Sequence, residues 1–164
     1  MSVSRVTLLS AVAVFWSTAA AAEQIKPLEF FEGRTESSGT IKIVLKKAFK
    51  SQSSGIGRIG SDGVLSLVQK VEDEGKPPRE RRWKIRQVGP NRFTGTMSEA
   101  IGPIAIDEVD GRYRFRFKMK GNLSVEQWVT PLPGGKTAKN TMTIKKLGMT
   151  VATGTGTIRK VGSN

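Results

Sequence analysis

The sequence predicts an all-β protein, an antiparallel up-and-down meander of about eight to ten strands that closes into a barrel. Short segments with alternating apolar residues follow one another, separated by turn signals such as Gly60–Gly63 and Asp110-Gly111. No segment beyond the N-terminal region has the periodicity of a long amphipathic helix. A meander of this length has two unpaired edges, which closure into a barrel removes. A two-sheet sandwich is the alternative.

The stretch GRYRFRFKMKG shows the alternation most clearly. Basic and apolar residues alternate with a period of two, which is typical of a half-buried strand. We expect the apolar face to point inward and the basic face outward. The basic positions are Arg112, Arg114, Arg116, Lys118 and Lys120, and the apolar positions are Tyr113, Phe115, Phe117 and Met119.

The other strands follow from the same alternation and from Gly, Pro and Asn in the turns. In the first strand, Ile41, Ile43, Leu45 and Phe49 are expected to share one face. The second strand is rich in Gly and Ser and has few side chains to pack. A short helical or irregular lead-in precedes Gly33. The predicted strands are 39–50, 51–59, 64–72, 79–88, 92–99, 104–109, 112–120, 123–130, 137–146 and 149–160.

Residues 1–22 have the order of a secretory signal peptide. Arg5 precedes an apolar run that is too short to span a membrane, and Ala20–Ala22 fits a small-residue cleavage site. We therefore expect a periplasmic protein whose single domain is residues 23–164, with no transmembrane segment after cleavage. No cysteine follows the cleavage site, so a lipid-anchored form is not expected. We also expect a monomer.

The net charge is +13, and it falls to +12 when Arg5 is removed with the signal. A basic exported protein can meet anionic phospholipid, lipopolysaccharide or cell-wall polymers. Nucleic acid is not an expected partner, because of export and because no aromatic side chains are expected among the outward-facing charges. A basic surface that only keeps the protein soluble is the simpler interpretation.

The chain has no histidine and no cysteine. Serine–histidine triads, cysteine nucleophiles and the usual zinc, copper and haem ligands are therefore unavailable, and we predict no metal and no cofactor. Carboxylates remain as candidate acids. Glu99 follows an inward-facing apolar pattern, so it is expected to point inside with Arg81 or Lys146 as its partner. A plain ion pair is the alternative explanation for such a carboxylate.

Several aromatic and apolar residues could line a ligand cavity inside the barrel, or they could form an ordinary filled core. The candidate lining residues are Trp83, Phe93, Met97, Tyr113, Phe115, Phe117 and Trp128, and the candidate polar contacts are Arg81, Glu99 and Glu126.

Several short motifs in order, from about Leu28 to Lys160, resemble a family of small exported bacterial envelope proteins. These motifs are Phe30-Phe31-Glu32-Gly33 with Gly39, Arg81–Ile85, Phe93 and Gly95 followed by Glu99 and Gly102, Glu126–Trp128, and Asn140 with Lys146-Leu147-Gly148. The family is domain-of-unknown-function family number thirty-eight thirty-three. Gln127 and Leu147 depart from its pattern, as does the absence of its lipid-bearing cysteine. The resemblance implies a lipocalin-like (calycin) barrel and an envelope location, and it implies no reaction.

Three functional hypotheses follow. The first is non-enzymatic binding of an apolar or amphiphilic, lipid-like ligand inside the barrel. The second is an envelope interaction protein whose cationic exterior binds anionic lipid, lipopolysaccharide or a protein partner. The third, which we favour least, is a histidine-free hydrolase or isomerase that uses Glu99 or Glu126.

Overall fold

The computed structural model describes residues 26–162, which form one short helix and ten strands. The predicted signal peptide lies outside the described residues. No helix in the described part of the chain has the length and hydropathy needed to cross a membrane. The elements are α1 (Pro27–Phe30), β1 (Gly33–Ile43), β2 (Phe49–Ile59), β3 (Leu65–Asp73), β4 (Arg79–Gly89), β5 (Arg92–Met97), β6 (Ala100–Val109), β7 (Arg112–Met119), β8 (Leu123–Pro131), β9 (Thr137–Lys146) and β10 (Met149–Val161).

The ten strands form a single closed antiparallel barrel. Each strand pairs with the next in sequence, and β1 closes the barrel by pairing with β10 from Arg34↔Val161 to Ile43↔Ala152. Closure leaves no strand of the barrel with an unpaired edge. The predicted fold class is confirmed, and the two-sheet sandwich is excluded.

The hairpin turns alternate between the two ends of the barrel. The turns β1–β2, β3–β4, β5–β6, β7–β8 and β9–β10 lie at one end, which we call the open end. The other end, the closed end, carries the remaining turns and α1. Phe30, the last residue of α1, and Phe31, which follows it, are both buried in the core and meet edge-on, with ring centroids 5.2 Å apart. The N-terminal segment therefore plugs the closed end with aromatic side chains.

Side chains alternate between the interior and the surface along each strand, as the pleat requires. On β7, Tyr113, Phe115 and Phe117 are buried, while Arg112 and Arg116 are exposed. The most completely buried side chains belong to the same core cluster as Phe30: they are Leu65, Ile104, Ile106, Tyr113, Val129 and Ala138.

The prediction for the first strand was wrong. The segment 39–50 is not one strand, because β1 begins at Gly33 and ends at Ile43, and the chain turns before β2. Leu45 lies in this turn with a φ of 63° and is fully exposed, so it does not share a face with Ile41 and Ile43. The turn contains no Gly, Pro, Asn or Asp, and the usual turn chemistry therefore gave no signal there.

Candidate functional site

The barrel encloses a cavity of about 470 Å³ that extends to the open end. This volume lies within the range of about 300–1,000 Å³ that is usual for small-molecule sites. Its walls differ in character. The side formed by β3, β4, β5 and β7 carries bulky apolar side chains, whereas the side formed by β1, β2 and β10 has many Ser, Thr and Gly positions among a few larger residues such as Ile41, Phe49 and Ile158.

The apolar wall is centred on Trp83 from β4. Its ring meets Phe115 and Phe117 of β7 edge-on, with centroids 6.3 and 6.2 Å away. Its indole N–H donates to Gln69 Oε1 across 2.7 Å. Met97 on β5 pairs directly with Trp83 and is also buried. The rings are thus fixed by mutual packing and one hydrogen bond, which gives the cavity a rigid aromatic surface.

The opposite wall leaves the space that makes the cavity. Ser37 on β1 and Ser53 on β2 face inward, and their hydroxyl oxygens are 2.7 Å apart. Gly154 on β10 also lines the cavity, and a Cβ there would lie 3.2 Å from the Cε of Met142. Because these inward positions carry little or no side chain, the large residues across the barrel have nothing to interdigitate with.

Four charged side chains at the open end form what we call the mouth network: Asp73, Arg79, Arg81 and Glu99. Arg79 donates from Nη1 to Asp73 Oδ2 and from Nε to Glu99 Oε1, both at 2.7 Å. Arg81 donates from Nε to Glu99 Oε2 at 2.8 Å. Ser51 donates its hydroxyl to Asp73 Oδ1 at 2.6 Å. The network joins β3, β4 and the β5–β6 turn across the top of the aromatic wall.

Both carboxylates of the mouth network are held ionised. Burial favours the neutral form of Asp73, but the Ser51 hydroxyl and the Arg79 guanidinium outweigh it and lower the Asp73 pKa. Burial acts in the same direction on Glu99, and the charges and hydrogen bonds of Arg81 and Arg79 lower its pKa in turn. Neither group is therefore set up to hold a proton near neutral pH.

Further polar groups face the cavity below the mouth network. Gln127 donates from Nε2 to Asn140 Oδ1 at 2.9 Å, and Gln69 accepts from Trp83. In the described part of the chain, every buried side-chain nitrogen and oxygen has a hydrogen-bond partner. No group of His, Cys, Asp and Glu side chains between residues 26 and 162 is arranged to hold a metal ion.

The structure brings six of the predicted interior residues together around the cavity. The predicted residues that line it are Arg81, Trp83, Met97, Glu99, Phe115 and Phe117. Phe93 and Tyr113 point inward but do not line the cavity, because they are packed in the core nearer the closed end. Burial, with the charges of Glu108 and Glu29, raises the pKa of Tyr113 to about 12.

Trp128 and Glu126 were wrongly predicted to face the interior. Both lie on the outer face of β8, since Val125 and Val129 are the buried positions of this strand. Trp128 stacks against the Arg112 guanidinium, whose carbon lies 4.7 Å from the ring centroid. Glu126 accepts from Arg114 Nη2 at 2.5 Å and from Trp128 Nε1 at 3.1 Å. The hydrogen bonds from Arg114 and Trp128 lower the Glu126 pKa.

The basic residues of β7 lie on the outer face together with this cluster. Arg116 pairs with Asp107 on β6, with Nη2 and Oδ2 2.5 Å apart, while Lys118 and Lys120 are exposed. The expectation that no aromatic side chain lies among these charges was wrong, because Trp128 contacts two of the arginines.

The sequence analysis did not single out Asp73, Arg79 or Gln69. A signal for two of them was present on β3, where Leu67, Gln69, Val71 and Asp73 share the inward parity. Polar residues at inward positions near one strand end indicate a barrel mouth or a lined cavity, and Arg79 then follows as the partner that an inward Asp73 needs.

Comparison with solved structures supports the fold. The S-type phycobiliprotein lyase CPES from Guillardia theta is similar with a TM-score of 0.66 at 9% identity, over 84% of this chain and 92% of the lyase. A protein of unknown function from the DUF3598 family of Nostoc punctiforme is similar with a TM-score of 0.57 at 10% identity; the match covers 87% of this chain and 53% of that protein. At these identities the likeness concerns the fold alone. A search of curated proteins found no match.

The family model described as "Protein of unknown function (DUF3833)" matches residues 7–160, which is most of the chain. This match confirms the resemblance inferred from the sequence motifs, and the lipocalin-like barrel agrees with it. The chain belongs to the DUF3833 family.

Proposed function

We propose that this protein binds an apolar or amphiphilic small molecule inside its barrel and does not catalyse a reaction. The observation that carries this proposal is the cavity of about 470 Å³, with a rigid aromatic wall below and a charged mouth above. Predominantly apolar lining with a few placed polar groups is typical of ligand pockets.

The arrangement suits an amphiphile bound end-on. Its apolar part would lie against Trp83, Phe115 and Phe117, where burial of apolar surface provides the affinity. Its polar part would lie near the mouth network and near Lys76, which also lines the cavity. A wholly apolar ligand would leave these charged groups to water, so an amphiphile is the better fit.

The electrostatics of the carboxylates support a binding role. A general acid at neutral pH needs a raised pKa, whereas the pKa values of Glu99 and Asp73 are lowered by their arginine partners. Glu126, the other carboxylate considered for catalysis, lies on the outer face in an ion pair with Arg114.

The phycobiliprotein lyase has a similar fold, and the activity in its name is said of that protein alone. The periplasmic location that we include in the proposal rests on residues 1–22, which have the composition of a signal peptide.

The test fills the cavity and leaves the rest of the barrel unchanged. Ser53 faces the cavity, and Ser54 on the same strand faces solvent. Ser53→Leu places a larger side chain in the empty space, and Ser54→Leu is the matched control. Small molecules released from gently purified protein are identified by mass spectrometry, and uptake of cis-parinaric acid is measured by fluorescence.

We expect the wild type and Ser54→Leu to carry a stoichiometric amphiphile and to bind the probe. Ser53→Leu should bind about tenfold less, since overpacking a filled site costs on the order of 1–3 kcal/mol. A wild-type protein that carries no small molecule and takes up no probe would overturn the proposal, as would equal binding by the two variants.

A further inference from the structure

Exposed apolar side chains cluster on two neighbouring hairpins at the open end. Leu45 in the β1–β2 turn is 99% exposed, and Leu147 and Met149 at the β9–β10 turn are 78% and 69% exposed. The two hairpins are neighbours because β1 pairs with β10, and the Val44 N–H donates to the Val151 carbonyl at 2.9 Å beside the turn. We call these three residues the apolar rim.

The backbone at the two leucines makes their identity unusual. Leu45 has a φ of 63° and Leu147 a φ of 49°, in the left-handed region that is costly for a branched apolar residue. The other non-glycine residues with positive φ in the described chain are Asp110 and Asn122, the residue types that tolerate this conformation. The backbone conformation therefore disfavours leucine at both turns, and neither leucine side chain is buried in the core.

Lysines surround the apolar rim. Lys42, Lys46 and Lys47 flank Leu45, and Lys145 and Lys146 precede Leu147; all five are exposed. Segments 42–47 and 145–149 contain no acidic residue. Lys42 donates from Nζ to the Lys46 carbonyl within the first tip. The acidic residues Asp73, Glu74 and Glu99 at the open end belong to the β3–β4 and β5–β6 hairpins instead.

From this juxtaposition we propose that the open end docks on an anionic lipid bilayer. The apolar rim enters the boundary between head groups and acyl chains, and the five lysines contact lipid phosphates. Charge complementarity favours this partner over a second copy of the chain, because two such rims would bring like charges together.

Docking in this orientation places the cavity mouth against the membrane, since the cavity reaches the same end of the barrel. The inference nevertheless stands on exposed residues outside the cavity, so it does not depend on what the cavity binds.

Flotation of the processed protein with vesicles tests the docking. The vesicles are phosphatidylcholine alone or phosphatidylcholine mixed with phosphatidylglycerol. The test variant is the double substitution Leu45→Asn and Leu147→Asn, which removes the apolar groups and suits a left-handed backbone, so its folded state should be at least as stable. Leu132→Asn, in the β8–β9 turn at the closed end, is the matched control.

We expect the wild type and Leu132→Asn to float with the anionic vesicles, and far less with the neutral ones. The double variant should bind about tenfold or more weakly, because each leucine loses its burial in the bilayer. Raising the salt from about 0.1 M to about 1 M should weaken binding, since the Debye length falls to about 3 Å. All variants have the same N-terminus, so any difference in vesicle binding between them arises from the substituted turns.

Three results would overturn the proposal. The first is a wild type that stays unbound to anionic vesicles, and the second is a double variant that floats like the wild type. The third is a wild-type dimer in solution that the double variant dissociates, without flotation of either. The cavity-filled Ser53→Leu variant should float normally, so the loss of ligand binding and the loss of docking are separable.

Discussion

Replacement of Trp83 by alanine should destabilise the barrel far more than the same replacement of Trp128. The Trp83 side chain is 8% exposed, and it contributes two edge-to-face contacts and a 2.7 Å hydrogen bond to Gln69. Removal of a buried tryptophan typically costs about 3–5 kcal/mol. Because one side of Trp83 faces the open cavity, we expect the lower end, about 3 kcal/mol.

Trp128 provides the matched control on the outer face. It contributes guanidinium contacts at 4.7 and 5.6 Å and one hydrogen bond to Glu126, all close to solvent. Such exposed interactions are worth roughly 0.5–1 kcal/mol, so Trp128→Ala should cost about 1 kcal/mol. Urea unfolding followed by far-ultraviolet circular dichroism gives both free energies of unfolding. A Trp128→Ala cost equal to or above that of Trp83→Ala would refute the placement of the two rings.

Three other predictions concern pH and close packing. Asp73 and Glu99 have lowered pKa values in the folded state, so their contribution to stability is full above about pH 5, where both groups are also ionised in the unfolded chain, and it is lost as the pH falls through the folded pKa values. Acid unfolding of Asp73→Asn should show a weaker pH dependence, and an unchanged profile would contradict this. Gly57→Ala should destabilise the protein by about 1–3 kcal/mol, because the new Cβ would clash with the backbone carbonyl of Phe31 at the closed end. An unchanged urea midpoint would exclude this close contact. Spectrophotometric titration should show Tyr113 ionising near its pKa of about 12, and a midpoint near 10 would show that the ring is not buried.

The strand pattern made the architecture predictable, because alternation fixes which face of each strand is inward. On β7 the predicted faces agree with the structure: Tyr113, Phe115 and Phe117 are buried, and the basic residues point outward. The turns with Asp-Gly or Asn also lie where their chemistry places them, with Asp110 and Asn122 at positive φ.

For Trp128, the alternation along the strand predicts the correct face of the sheet, whereas the aromatic character of the residue does not. An aromatic residue suggests the interior, but Val125 and Val129 assign the odd positions of β8 to the core and therefore Trp128 to the surface. Arg112 and Arg114 on the neighbouring strand then give the ring a partner outside. The two-residue alternation of the strand therefore predicts the outer face for Trp128.

Whether the interior is filled or hollow could not be predicted from the large residues alone. Phe93 and Phe115 have the same pattern in sequence and both belong to the buried core, yet only Phe115 also lines the cavity. The difference depends on which side chains lie opposite each ring across the barrel. Small residues on β1, β2 and β10, such as Ser53 and Gly154, leave space opposite Phe115. The sequence alone does not show which strands lie opposite one another, so this space could not be predicted from it.

The pairing of β1 with β10 also determines when the barrel can be completed during synthesis. Nine of the ten strand contacts join consecutive strands, whereas this one joins residues more than a hundred positions apart. Along it, Gly39 faces Gly156, whose added Cβ would lie 2.8 Å from the Gly39 Cα, so at this pair the two backbones approach closely with no side chain between them. A chain that stops before Met149 leaves β1 and β9 as bare edges open to other chains. Pairing of β10 with β1 and β9 thus converts an open, aggregation-prone sheet into a barrel with no unpaired edge.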